Sequence, residues 1–321
     1  MSQNIIAKQV RKSVSFTSIG VIIYNIIMYA VVLGCFFLSV IYIGKTNPAI
    51  LASDKLYNDF VTKTVESGTS SIISLFIGFL FLLLFFHKDK PLKGAFSDNN
   101  KMTLVKFLSF IPLTMMFQLV FSVFSSGLET LLNGFGYSVM DSIESASSTS
   151  QTLSMFLYAA IFAPIFEEVI YRGFVLHSLQ KSGKIFAIVL SALFFGFMHA
   201  NIVQGFYAFF LGLLFDYIAT EYSLKWTILL HMINNMVFGE FLSYAMAPLS
   251  EDLQSVITGF ICMVLFGIGL IILAFKYQHV VDYFTFNRTE KKFYKYAFCS
   301  VFFIIFVVLE IIMGVQGITT I

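Results

Sequence analysis

Residues 159–176, AAIFAPIFEEVIYRGFVL, put two adjacent carboxylates, Glu167 and Glu168, and one guanidinium, Arg172, inside an otherwise apolar helical run. Ionisable groups at bilayer depth are costly, so they persist mainly where they face a protein interior and do work. Glu168 and Arg172 stand at i and i+4, which stacks them on one helix face with the acid N-terminal to the base, the favourable order for an ion pair. Glu167 points about 100° away, free for other use. Pro164 removes one backbone hydrogen bond beside the carboxylates and tends to kink the helix there, leaving local polarity and room for water. In a soluble protein an E-E-x-x-x-R triplet reads as a solvated salt-bridge face. The surroundings exclude that reading here.

The chain has 321 residues, of which 58% are hydrophobic and 12% charged, with mean hydropathy +0.86 and 40 Phe. Soluble domains carry about 25% charge, so the composition predicts an all-α, polytopic transmembrane helical bundle. The net charge of +2 says little, because its distribution matters more. Cys35, Cys262 and Cys299 each sit alone in an apolar run, without C-x-x-C spacing, and read as small hydrophobes. The 40 Phe are expected first on the lipid-facing surface and in interfacial belts. The Phe, Ile, Lys and Asn bias points to an AT-rich bacterial genome and hence a bacterial plasma membrane.

Hydropathy gives eight to nine spans. A basic segment, 1–15, precedes an uncleaved first span at 19–43, with the N-terminus in the cytoplasm. A polar loop, 45–69, leads to a short second span, 70–86, a basic loop, 87–106, and a third span, 107–124. The Ser- and Gly-rich loop 125–152 lacks Lys and Arg and reads as an outside, partly flexible loop. The fourth span runs from Leu153 to about Gln180 and is followed by the tight turn Lys181–Lys184. Spans at 185–199, 203–218 and 226–244 follow, then an acidic turn, an eighth span at 256–275, a basic inside loop, 276–295, and a ninth span at 296–314. This arrangement puts 17 of the 20 Lys and Arg on the cytoplasmic side and leaves Lys45, Lys55 and Lys63 outside. The positive-inside asymmetry supports it. The parts divide into 1–152, with spans one to three, a core at 153–246 with spans four to seven, and 247–321 with the last two.

Two further polar sites fall inside spans. Phe195 and His199 stand at i and i+4, and so do His231 and Asn235, so each pair shares a helix face. Glu167, Glu168, His199, His231 and Asn235 can meet only if the fourth, fifth and seventh spans converge on one polar cavity. Counting about 1.5 Å per residue from the Lys181–Lys184 turn puts Glu167 and His199 at matching depth, with His231 shallower. That offset is reconciled by a cavity toward the cytoplasmic half.

In this order and on successive spans, E-E-x-x-x-R, F-x-x-x-H and H-x-x-x-N resemble the three motifs of the CAAX protease and bacteriocin-processing (CPBP, or Abi) family of intramembrane peptidases. The resemblance covers about Ser154 to Phe238, including Pro164, Gly173 and the Gly212 stretch; the turn TEYSLK departs from it by lacking Thr-Gly. It implies an intramembrane endopeptidase, CAAX prenyl endopeptidase-like, acting in peptide or bacteriocin-type precursor maturation or in self-immunity. The roles it implies are Glu167 and His199 activating water, His231 and Asn235 stabilising the oxyanion, and Glu168 with Arg172 as a supporting ion pair. No cofactor is implied on this mechanism.

The alternative within the enzyme class is an intramembrane metalloprotease: two His and one Glu suit a catalytic zinc site, which would use Glu167, His199 and His231 with the second Glu as base, although H-E-x-x-H is absent. A different class is a non-catalytic immunity or scaffold protein binding a partner through the same cavity. A transporter lacks the paired, interrupted spans it would need. Expected partners are a peptide or membrane-protein substrate and the lipid bilayer. No Gly-rich phosphate loop, Ser nucleophile elbow or nucleic-acid patch is present. Asp216, Glu240 and Glu310 read as packed or interfacial groups, and His87, His177 and His279 as solvated ones.

Overall fold

The computed structural model describes residues 3–88 and 90–321. The basic N-terminal segment and the loop 87–106 therefore include positions, 1, 2 and 89, that lie outside the described residues. The chain is an all-helical bundle. Its helices are α1 (Gln3–Thr46), α2 (Asp54–Val65), α3 (Thr69–Phe85), α4 (Leu104–Asn133), α5 (Met140–Ser147), α6 (Leu153–Ser182), α7 (Lys184–Phe197), α8 (Ile202–Glu221), α9 (residues 224–246), α10 (Glu251–Asn287), α11 (Lys291–Phe298) and α12 (Val301–Val315).

By length and composition five described helices can cross a membrane, or up to seven if the bent pairs α2–α3 (44°) and α11–α12 (68°) each count as one span. The sequence-derived count of nine includes two helices, α7 and α9, that fall outside these limits of length and composition. Helix α7 has 14 residues, or about 21 Å against a hydrocarbon core of about 30 Å. Helix α9 carries His231, Asn234, Asn235 and Glu240 and falls outside the apolar set.

Several expected loops are helical instead. Residues 54–65 form α2 rather than a polar loop. Helix α4 continues through the leucines of 125–133 and stops just before Gly134. The rest of the segment expected to be flexible is ordered: α5 follows a two-residue strand, β1 (Tyr137–Ser138), that pairs antiparallel with β2 (Thr319–Thr320). The basic stretch after residue 275 contains no Gly or Pro, so α10 runs unbroken to Asn287.

The bundle has two distinct ends. At one, Lys184 Nζ meets Glu221 Oε1 at 2.8 Å, Asn99 N donates to Tyr222 O at 2.8 Å and Leu224 N to Ala95 O at 3.0 Å. Asp98 there accepts from Lys225 Nζ at 2.7 Å and from Trp226 Nε1 at 3.0 Å. The lysine-rich segments gather at this end. At the other end lie β1, β2, α5 and the segment 148–152.

Phenylalanine builds the interior as well as the surface. Phe86, Phe174, Phe186, Phe194, Phe195, Phe215, Phe303 and Phe306 are among the largest fully buried side chains, while others such as Phe275 and Phe286 are exposed on the surface. Rings that pack edge to face fill space between helices, as Phe194 does against Phe303 with centroids 5.2 Å apart.

Candidate active site

Helix α6 widens on both sides of its carboxylates. Tyr158–Phe162 and Val169–Val175 are π-helical turns, with Ala163–Glu168 as a short α-helical stretch between them. In the first turn Ala163 N bonds to Tyr158 O. The next carbonyl, Ala159 O, would continue that register to residue 164, a proline without an N–H. Ala159 O is thereby left open, and Asn235 Nδ2 donates to it at 3.0 Å. Asn235 itself lies in a third π-helical segment, Asn234–Phe241 of α9. Such turns recur at functional sites because they shift the register of one helix face without breaking the helix.

Three charged side chains with no solvent exposure lie below this contact. Arg172 Nη1 donates to Glu168 Oε1 at 3.0 Å, and Arg172 Nε lies 3.2 Å from Asp216 Oδ1 on α8. Ser191 Oγ on α7 donates to Asp216 Oδ1 and lies 3.0 Å from it. The guanidinium also lies over the Phe195 ring, 4.2 Å from its centroid, and within 5.5 Å of that of Phe215. One cation is thus shared by two buried carboxylates, held by groups from α6, α7 and α8. Asp216, expected to be a packed or interfacial group, is packed, and it is the second anion of this cluster.

His231 closes the cluster from α9. Its Nδ1 lies 2.9 Å from the same Glu168 Oε1 that accepts from Arg172. A carboxylate with two such donors accepts both, so Nδ1 carries the proton and Nε2 faces Glu167 Oε2 at 3.9 Å. That is the single polar contact of Glu167 among the described residues. His199 follows the end of α7, where Gly196 and α8 approach so closely that a Cβ on Gly196 would lie 2.8 Å from Gly205 O. The next residue, Ala200, has φ +47°, a left-handed conformation that a non-glycine residue adopts at a cost of about 1–3 kcal/mol. His199 Nδ1 lies 2.8 Å from Phe195 O, and because a carbonyl only accepts, Nδ1 donates and Nε2 is left as an acceptor. The Phe195 ring stands edge-on to both imidazoles, with centroids 5.0 Å from His199 and 6.0 Å from His231. Among the described residues no hydrogen bond or ion pair joins His199 to either glutamate.

Asn235 is oriented by a relay. Gln118 Nε2 on α4 donates to Tyr207 OH at 2.9 Å, Tyr207 OH to Asn234 Oδ1 at 2.8 Å and Asn234 Nδ2 to Asn235 Oδ1 at 2.9 Å. With one Nδ2 hydrogen on Ala159 O, Asn235 keeps its second amide hydrogen. Sequence reasoning missed Gln118, Ser191 and Tyr207, polar groups inside apolar helices, and Asn234, the neighbour of Asn235 in α9. For Asp216 a signal existed: an acid in an apolar span needs a partner.

A cavity of about 680 Å³ reaches Asn234 and Asn235, with Tyr158 and Ala159 in its wall, while Glu167, His199 and His231 lie outside its lining. It also touches Glu66, the segment 145–151 and Glu240, so it lies at the end of the bundle away from the lysine-rich turns. Among the described residues no three His, Cys, Asp or Glu side chains are arranged to hold a metal ion, so Glu167, His199 and His231 do not form an assembled zinc-ligand set.

Residues 149–237 match the family described as type II CAAX prenyl endopeptidase, Rce1-like. That segment spans all three polar motifs and lies almost wholly within α6 to α9. Comparisons with curated proteins and with solved structures gave no match.

Proposed function

We propose that the chain is an intramembrane endopeptidase of the CAAX-protease type, hydrolysing a peptide bond with water activated by Glu167 and His199. The observation that carries this reading is the division of labour between the adjacent glutamates. Glu168 Oε1 is occupied by Arg172 Nη1 and His231 Nδ1, whereas Glu167 has only the 3.9 Å contact with His231 Nε2. A water that donates to the free Glu167 carboxylate fits beside that gap. Glu167 takes a proton from this water while His199 Nε2 accepts its second hydrogen, and the oxygen attacks the scissile carbonyl.

The oxyanion forms near Asn235, whose remaining amide hydrogen donates to it. His231 can donate through Nε2 only once it carries a proton there. Glu167 passes it the proton taken from water, and His231 delivers that proton to the leaving nitrogen as the C–N bond breaks. Glu168 and Arg172 act by holding His231. No step requires a cofactor. The cavity mouth lies away from the basic turns, which the positive-inside rule makes the extracytoplasmic side of a bacterial plasma membrane.

The test is cleavage of a mixed membrane-protein and leader-peptide library by the purified protein and by Glu167→Gln, read by mass spectrometry with a chelator present. Products from wild type alone support the reading. His231→Ala and Asn235→Ala are each expected to slow hydrolysis by about 10²-fold or more with expression intact; unchanged rates remove them from these roles. Products that require added zinc overturn the metal-free mechanism. Silence with and without zinc, from folded protein, replaces it with a non-catalytic binding or immunity role.

A further inference from the structure

The cavity that reaches Asn235 has a marked charge character. At about 680 Å³ it falls within the roughly 300–1,000 Å³ range of ligand sites. None of the described residues lining it is Lys, Arg or His, and two are acidic, Glu66 and Glu240. Glu240 is buried at 5% exposure, with its oxygens taken by Ser150: Oγ at 2.5 Å and N at 3.1 Å. It fastens the segment 145–151 to α9. Glu66 is different. Its backbone carbonyl is fixed by Thr152 Oγ1 at 2.8 Å, and its carboxylate has no partner among the described residues.

The remaining wall mixes apolar side chains such as Met115 and Phe121 with neutral amides and hydroxyls such as Gln118 and Gln204. Amides and hydroxyls both donate and accept, which suits the backbone of an extended polypeptide. A carboxylate brought into this space would meet two anions and no cation, whereas a lysine, an arginine or an uncharged residue would not. Discrimination between substrates can rest on such a repulsive element as well as on attraction.

We propose that this cavity is the substrate subsite and takes an uncharged or cationic polypeptide segment, excluding one that carries an acidic side chain into it. The inference rests on the peptidase reading for its chemistry, but the charge preference belongs to the cavity and is measurable as binding.

The experiment uses the full-length protein in nanodiscs of zwitterionic lipid. One apolar peptide is made with Lys, Gln or Glu at successive positions on either side of the scissile bond. Cleavage by wild type is read as kcat/KM, and binding to Glu167→Gln by fluorescence anisotropy. Lys and Gln peptides are expected to exceed the Glu peptide by about 10-fold in either readout, the size of effect that two nearby like charges produce at partly shielded sites. Glu66→Lys should shrink or reverse the Lys-to-Glu ratio, and Glu66→Gln should move it part of the way. Equal handling of Glu and Lys peptides, or a ratio indifferent to both Glu66 variants in folded protein, overturns the proposal. Selective binding without cleavage of any peptide overturns the peptidase reading and leaves the charge preference standing. Neither binding nor cleavage overturns both.

Discussion

Glu168 Oε1 receives Arg172 Nη1 at 3.0 Å and His231 Nδ1 at 2.9 Å, so one carboxylate oxygen joins two turns of α6 to the middle of α9. All of it is out of water. Removing one partner of such a group leaves an uncompensated buried charge, which costs about 3–5 kcal/mol. Arg172→Ala exposes two carboxylates to that penalty, Glu168 and Asp216. The expected outcome is a collapse of yield and of thermal stability in detergent, with Arg172→Lys intermediate because it keeps the charge but loses the fork. Normal stability of Arg172→Ala would show that the cluster does not hold α6, α8 and α9 together.

Asp216 lends itself to a gentler test. It touches Arg172 and Ser191 and no reacting group, so it positions rather than reacts. Asp216→Asn keeps the shape and removes one of two anions sharing a single cation. Folding should therefore survive, while turnover falls by about 10–100-fold, the range seen when an outer partner of a site is altered. The fall should appear in kcat rather than KM, because Arg172, Glu168 and His231 would re-space without closing the substrate cavity. A change confined to KM would contradict this chain of support.

What the sequence made legible follows from how far each partner lies along the chain. Glu168 and Arg172 share a helix, and the i, i+4 rule pairs them without any tertiary knowledge. The link from Arg172 to Asp216 crosses to α8, and no local period announces it. Likewise the π-helical turns leave the hydropathy of α6 unchanged, so a proline that signals a kink does not disclose that Ala159 O is opened toward Asn235. The two helices that separate the sequence-derived span count from the five to seven long apolar ones are α7 and α9, one short and the other carrying polar groups of the site. His199 and His231 were placed on converging helices, but that Phe195 stands between them is visible only in three dimensions.

At the basic end, Asp98 links the segment before α4 to the start of α9 through Lys225 and Trp226. The Lys225 ammonium, and then the Trp226 indole N–H, hold its carboxyl below the usual range. A depressed folded value means that the stabilisation is fully present above the unfolded value, near pH 4, and is lost as pH falls through the folded one. Asp98→Asn should therefore melt slightly earlier than wild type at pH 7, and the two should converge as pH drops below about 4. Both groups are solvent-exposed, so about 1 M salt should shrink the difference as well. A gap that persists at low pH would assign the effect to shape rather than charge.

Pro164 and Asn235 make the sharpest joint test. Restoring an N–H at position 164 with Pro164→Ala allows α6 to bond the carbonyl that Asn235 now uses. A proline inside a helix costs about 3 kcal/mol or more relative to an unbroken one, so thermal stability is expected to hold or rise. Turnover should nevertheless fall, because Asn235 loses the acceptor that orients it toward the oxyanion. If the proline acts through Asn235, the double variant Pro164→Ala/Asn235→Ala will be no slower than Asn235→Ala alone. Independent effects would add instead, since residues without shared partners usually combine within about 0.5 kcal/mol. Measured additivity would separate the kink from the amide and leave Pro164 a packing feature of α6.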